Sequence, residues 1–131
     1  MLSINDGPSL LRALSTPLDP RLRHLLSQRR DQLGGSITGH ARFVVVQPND
    51  TLTTVEQAFS FSPLQNPIDG SRFGDPDFTP AWEWIEDHGF CFEVVFIFDD
   101  SGFAHVLLVE KAEGVDPQLI ALCQAHASGH V

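Results

Sequence analysis

The sequence predicts an α+β domain: a small antiparallel sheet of three strands, including a C-terminal β-hairpin, flanked by N- and C-terminal helices. Three observations predict it. First, Phe90, Phe92, Val94, Phe96 and Phe98 recur with period two inside the most apolar stretch of the chain, Phe90–Lys111. Second, Phe43-Val44-Val45-Val46 is a short continuous run, rich in β-branched residues, of the kind found in strands covered on both faces. Third, Asp19-Pro20 and Asp116-Pro117 each place an N-cap residue before a proline, and each opens an amphipathic stretch.

Taken in order, Asn5-Asp6-Gly7-Pro8 is turn chemistry, and residues 1–8 are expected to be loosely ordered. A short helix opens at Pro8 or Ser9 and ends before Pro17. The helix Pro20–Leu33 carries Leu22, Leu25, Leu26, Arg29 and Leu33 on one stripe, with Arg21, Arg23, His24, Gln28 and Arg30 around the rest; Gly34-Gly35 stops it. Ala41–Gln47 is a strand closed by Pro48. Thr53 with Glu56 forms a capping-box pattern for a helix reaching about Phe59, and Asp50 competes as the cap.

From Ser60 to Thr79 prolines and glycines defeat regular structure, yet Phe61, Leu64, Ile68, Phe73 and Phe78 recur through it. Disordered linkers are poor in aromatics, so the expectation is an ordered loop laid over the sheet. Thr79-Pro80 reads as the cap of a short helix, Ala81–His88, ended by Gly89. The hairpin follows, Phe90–Phe98 with Phe103–Glu110. The register that sets Phe98 opposite Phe103 gathers the large side chains on one face. The other face, with Cys91, Val95 and Ile97, is too apolar to be bare, so cover is expected on both sides. The last helix, Pro117–Ala127, buries Leu119, Ile120 and Cys123, and residues 128–131 fray.

At 131 residues the chain reads as a single domain, 1–131, able to bury a core. No run approaches the ~18 apolar residues of a membrane span. The start, Met1-Leu2-Ser3-Ile4, lacks the basic and apolar regions of a secretory signal, which points to the cytoplasm. Cys91 and Cys123 form no CxxC pair and read as two buried free thiols.

The net charge of −9 is unevenly spread. Residues 1–49 hold six Arg against three Asp, and residues 50–131 hold Arg72 and Lys111 against fourteen acids. The acidic part cannot neutralise phosphates, and the overall field opposes nucleic-acid binding through Arg21, Arg23, Arg29 and Arg30. The economical reading is that the two parts attract each other, within one chain or across a dimer.

One resemblance covers about the C-terminal two-thirds. Phe61, Pro67-Ile68-Asp69-Gly70, Thr79-Pro80-Ala81-Trp82-Glu83-Trp84-Ile85-Glu86 and the Phe90–Phe98 strand resemble small uncharacterised proteins carried on proteobacterial plasmids and integrative elements. The resemblance implies no activity and transfers no catalytic role.

Candidate chemistry is sparse. Gly34–Gly39 is glycine-rich but precedes a strand, so it presents no helix N-terminus to a phosphate. His88, Cys91, Glu93 and His105 form a conceivable metal set without HxxxH or CxxC spacing, and neither a metal nor a cofactor is expected. Cys91 with His88, or Cys123 with His126, has the residue types for nucleophilic catalysis, but a thiol on an apolar stripe is inert. Glu93 stands out, mid-strand on an otherwise apolar face. A buried carboxylate needs a partner, and Arg42 or an arginine of the Pro20–Leu33 helix can supply it.

The functional expectation is a non-enzymatic accessory or interaction protein. Its candidate surface is Phe73, Phe78, Trp82, Glu83, Trp84 and Glu86, facing a basic protein partner. The alternative is a small-ligand binder or enzyme with a pocket between residues 61–80 and the sheet, using Glu93, His105 and Trp82. Three strands leave two edges, and a two-fold pairing of one edge makes a homodimer the expected assembly.

Overall fold

The computed structural model describes residues 1–57, 83–96 and 103–129. Their elements are β1 (Leu2–Ile4), α1 (Gly7–Leu14), α2 (Pro20–Gln32), β2 (Ala41–Val45), α3 (Leu52–Gln57), β3 (Glu83–Asp87), β4 (Cys91–Phe96), β5 (Ala104–Glu110) and α4 (Pro117–Gly129). The class is α+β, as expected, but the sheet is larger and mixed. Among the described residues it has five strands in the order β1-β2-β5-β4-β3, and β2 runs parallel to β5 while the other pairs are antiparallel.

The β4–β5 ladder pairs Phe92 with Val109 and Val94 with Leu107. The offset is the one expected from the sequence; Phe98 itself lies outside the described residues. This register separates the side chains cleanly. Phe92, Val94, Leu107 and Val109 join Val44 and Val46 under Leu119 and Cys123 of α4. Cys91, Val95, Val106 and Leu108 join Phe43 and Val45 under Leu10 and Ala13 of α1 and Leu22, Leu25 and Leu26 of α2. Both faces are therefore covered by helices of the same chain, each fully buried large side chain contributing about 1.5–3 kcal/mol. An apolar sheet face does not call for a second subunit; only the sheet edges remain as a motive for one.

Two expectations are corrected. Residues 2–4 are not loose: Leu2–Ile4 pairs antiparallel with β2, and Ile4 is completely buried. The chain then turns into α1, whose N-cap Asp6 accepts from the Ser9 backbone N–H. The expected helix Ala81–His88 is a strand over its described part, Glu83–Asp87, paired with β4. The Thr-Pro cap signal misled. A helix of one or two turns has little propensity to hold it, whereas Ile85 placed opposite Val94 gains a buried neighbour in the ladder. A two-residue turn, Gly89-Phe90, reverses the chain. Gly89 has φ +87°, Phe90 stays at negative φ, and the Asp87 side chain accepts from the Gly89 N–H at 2.8 Å. Gly at the first turn position with φ above zero is the type II′ arrangement that suits twisted hairpins.

Boundaries shift slightly elsewhere. β2 ends at Val45, α2 at Gln32, and α4 continues to Gly129. At the start of α3 neither Thr53 nor Asp50 caps; Thr51 and Thr54 exchange hydrogen bonds, and Asp50 instead accepts from the Gln47 N–H. The loop 61–80 lies outside the described residues.

Candidate functional site

The polar centre of the molecule lies between α2 and the sheet. Asp19 caps α2 by accepting from the Arg21 N–H at 2.8 Å, with Pro20 at the first helical position. This fixes the helix so that its leucine stripe faces the sheet. Arg29 lies on the same stripe, one turn beyond Leu25 and Leu26, and its side chain reaches over the sheet toward Glu93. Glu93 follows Phe92 and Cys91 in β4 and is 1% exposed.

The pair is bidentate. Arg29 Nε donates to Glu93 Oε2 at 2.8 Å and Nη2 donates to Glu93 Oε1. Nη2 also donates to Glu86 Oε2 at 3.2 Å, and Nη1 to Gln32 Oε1 at 2.8 Å. His88 Nε2 lies 3.3 Å from Glu93 Oε1 and 3.6 Å from Glu86 Oε2. Glu86 is brought there by register, directly opposite Glu93 on β3. Two carboxylates facing each other repel, and the guanidinium between them removes the repulsion.

Burial works to raise the Glu93 carboxyl. The hydrogen bonds and charge of Arg29, with a smaller contribution from His88, outweigh it and hold the group below its ordinary range. Arg29 in turn is raised by its hydrogen bonds to Glu93. Glu93 is thus ionised, with both oxygens taken, and is a poor proton acceptor for chemistry.

Glu86, His88 and Glu93 offer ligand atoms within 4.8 Å of one another, the geometry of a small cation site. Arg29 Nη2 bonds both carboxylates, so the protein's own cation stands where a metal would have to go. Beside the pair lies a cavity of about 160 Å³ with Leu33, Phe43, Val95 and Val106 in its apolar wall and Arg29 and Glu93 at its polar end.

The residues singled out from sequence separate in the structure. Glu93 and His105 do not meet. They lie on opposite faces of the sheet, His105 being paired with Phe96 and Arg42 and packed edge-on to Phe103 at 5.2 Å. Glu83, Trp84 and Glu86 are on β3, with Glu86 exposed. Phe73, Phe78 and Trp82 lie outside the described residues. Cys91 and Cys123 are both free and buried. Burial pushes each thiol up to about 12, and at Cys91 the negative charge of Glu93 adds to it. Neither is a ready nucleophile.

The sequence places Arg29 on the apolar stripe of α2 and Glu93 on an apolar strand face, with Arg42 or an α2 arginine as partner; in the structure the partner is Arg29. A charged residue breaking each of two apolar patterns was the available signal. Comparison of the chain with protein-family models, with curated proteins and with solved structures finds no match. No helix among the described residues is long and apolar enough to cross a membrane.

Proposed function

We propose that the chain is a non-enzymatic interaction protein that takes a basic partner on the acidic side of its sheet, along β3 and the turn that follows it. The observation that carries this reading is the position of Glu86 and Asp87. Both are exposed on β3, one of the two edge strands among the described residues, inside the strongly acidic part of the sequence. Their counter-charges are local: Arg29, with His88 Nε2 3.6 Å away, for Glu86, and Lys111 for Asp87. A non-enzymatic role is supported by the state of the reactive groups: Glu93 is saturated by Arg29, and both thiols are held protonated. Two buried free thiols also suit the reducing cytoplasm.

The test uses a synthetic extended peptide alternating Lys and Val, titrated into isotope-labelled protein. Shifts concentrated at the amides of Glu83–Asp87, abolished by high salt and by the double substitution Glu86→Gln with Asp87→Asn, support the reading. Shifts spread evenly over the surface, or none, remove it. A second reading is a homodimer formed by pairing of an edge strand, favoured because the sheet formed by the described residues ends in β1 and β3 rather than closing on itself. Solution mass across a dilution series decides it: a constant monomer mass ends the dimer.

A further inference from the structure

The groove between the first turns of α2 and the β3–β4 turn borders the Arg29–Glu93 cluster, with which it shares His88, and opens along a side of α2 that does not include Arg29. It encloses about 520 Å³, within the range of pockets that hold small organic ligands. One wall is a stripe of α2, with Arg21, His24 and Gln28 at helical spacing around the buried Leu25. The opposite wall is the turn, with His88 and Phe90.

Two properties set this groove apart. Its polar wall carries a guanidinium, two imidazoles and a carboxamide but no carboxylate, in a chain with seventeen acidic side chains. Three of the nearby acids are occupied, while the half-buried Glu110 adds its charge beside Arg21 and Asp19. Asp19 is bound twice by the Arg21 guanidinium, Nε at 3.1 Å and Nη2 at 2.8 Å, and Glu93 is bound twice by Arg29. Glu86, 3.6 Å from His88 Nε2, is bonded by Arg29 as well. The second property is an aromatic ring in the turn wall. The Phe90 ring is half-buried, with the Arg21 guanidinium 4.7 Å from its centroid and the His88 ring 6.3 Å away.

From this geometry we infer a binding site for a small aromatic anion, its ring on Leu25 and Phe90 and its oxyanion between His24 and Gln28. Among the described residues neither His24 nor Gln28 is bonded to a carboxylate, whereas His88 Nε2 already faces Glu93 Oε1 at 3.3 Å, so the oxyanion accepts from His24 and Gln28. Arg21 adds positive charge at the rim while remaining docked to Asp19. The site needs no partner strand on β3, so it stands or falls apart from the proposal above.

The test is calorimetric titration of the full chain with phenyl phosphate and with benzoate, with phenol and inorganic phosphate as controls. Saturable binding of at least one aromatic anion is expected, at least about tenfold tighter than either control. His24→Ala and Gln28→Ala alter exposed side chains, leave the fold intact, and should each weaken that binding several-fold. A third variant, Phe90→Leu, should weaken the aromatic anion and leave inorganic phosphate unchanged. The site is overturned if neither aromatic anion saturates at millimolar concentration. It is equally overturned if phenol binds as tightly, or if His24→Ala and Gln28→Ala together leave the affinity unchanged.

Discussion

The two faces of the sheet are built on different principles. Under α4 the buried cluster is wholly apolar, with Phe92, Val94, Leu107, Val109, Leu119 and Cys123 all at 1% exposure or less. Under α1 and α2 the cluster is as apolar in outline, but Glu93 and Arg29 run through it and a cavity opens beside them. The α4 face is held by area removed from water, a term with no preferred direction and little sensitivity to pH. The α2 face adds a directional term that stabilises only when both partners are present and ionised. It follows that strong mutational coupling through a buried ion pair should be confined to one side of the sheet.

The largest effect comes from separating the pair. Arg29→Ala leaves Glu93 buried beside Glu86 with no cation and should cost about 3–5 kcal/mol in urea unfolding. Replacing both members, Arg29→Leu with Glu93→Leu, should return most of that loss, because a matched apolar pair removes the desolvation cost along with the attraction. On the other face, Leu107→Ala should cost about 2–5 kcal/mol through its cavity, and no single charge substitution should restore it. If Arg29→Ala costs no more than an exposed ion pair, the Glu93 carboxylate is reached by water and the contrast between the faces disappears.

A smaller effect sharpens the same contrast through pH. The folded Glu93 carboxyl is held below its ordinary value, burial opposing and Arg29 prevailing. Above about pH 4.3, where the unfolded chain is also ionised, its contribution is fully present. As pH falls the unfolded chain takes up the proton first, and stability declines until the folded value is passed. Asp6, Asp19 and Asp87 are lowered too and act in the same sense, while Glu110, raised mainly by its burial, acts in the opposite one. The informative quantity is therefore a difference. Urea midpoints measured from about pH 6 to about pH 3 should fall less steeply for Glu93→Gln than for the parent chain. Equal slopes would mean that Glu93 does not titrate differently in the two states.

What could be read from the sequence follows from how local each signal is. Asp19-Pro20 and Asp116-Pro117 announce helices within a few residues, and both helices start there. The alternation of Phe92, Val94, Leu107 and Val109 fixed the hairpin register because only one pairing buries them together. β1 was missed because a three-residue strand after no turn signal has no periodicity to detect; its pairing is supplied by β2, more than thirty-five residues away. The parallel β2–β5 contact was missed for the same reason, since nothing local distinguishes it from an antiparallel one. β3 was misread because five residues fit either period, and the proline before them tipped the reading toward helix. Of the site, the two charges in apolar patterns were visible; that Arg29 rather than Arg42 meets Glu93 depended on which face α2 covers.

The smallest effect tests how the apolar face is closed at its end. Asp116 accepts from the Gln118 N–H through Oδ1 and from the Leu52 N–H through Oδ2, both at 3.0 Å. One carboxylate thus caps α4 and holds the first residue of α3, which carries Val55 into the cluster beneath α4. Asp116→Ala removes both acceptors and should cost about 1–2 kcal/mol, with Asp116→Asn costing less because its carbonyl can still accept one of the two bonds. The position of the loss matters more than its size. Hydrogen exchange should quicken at the amides of α3 and the first turn of α4 and stay unchanged across α2. Faster exchange at Leu25 and Leu26 as well would mean that the two faces loosen together, and that the sheet does not insulate the ion pair from the apolar core behind it.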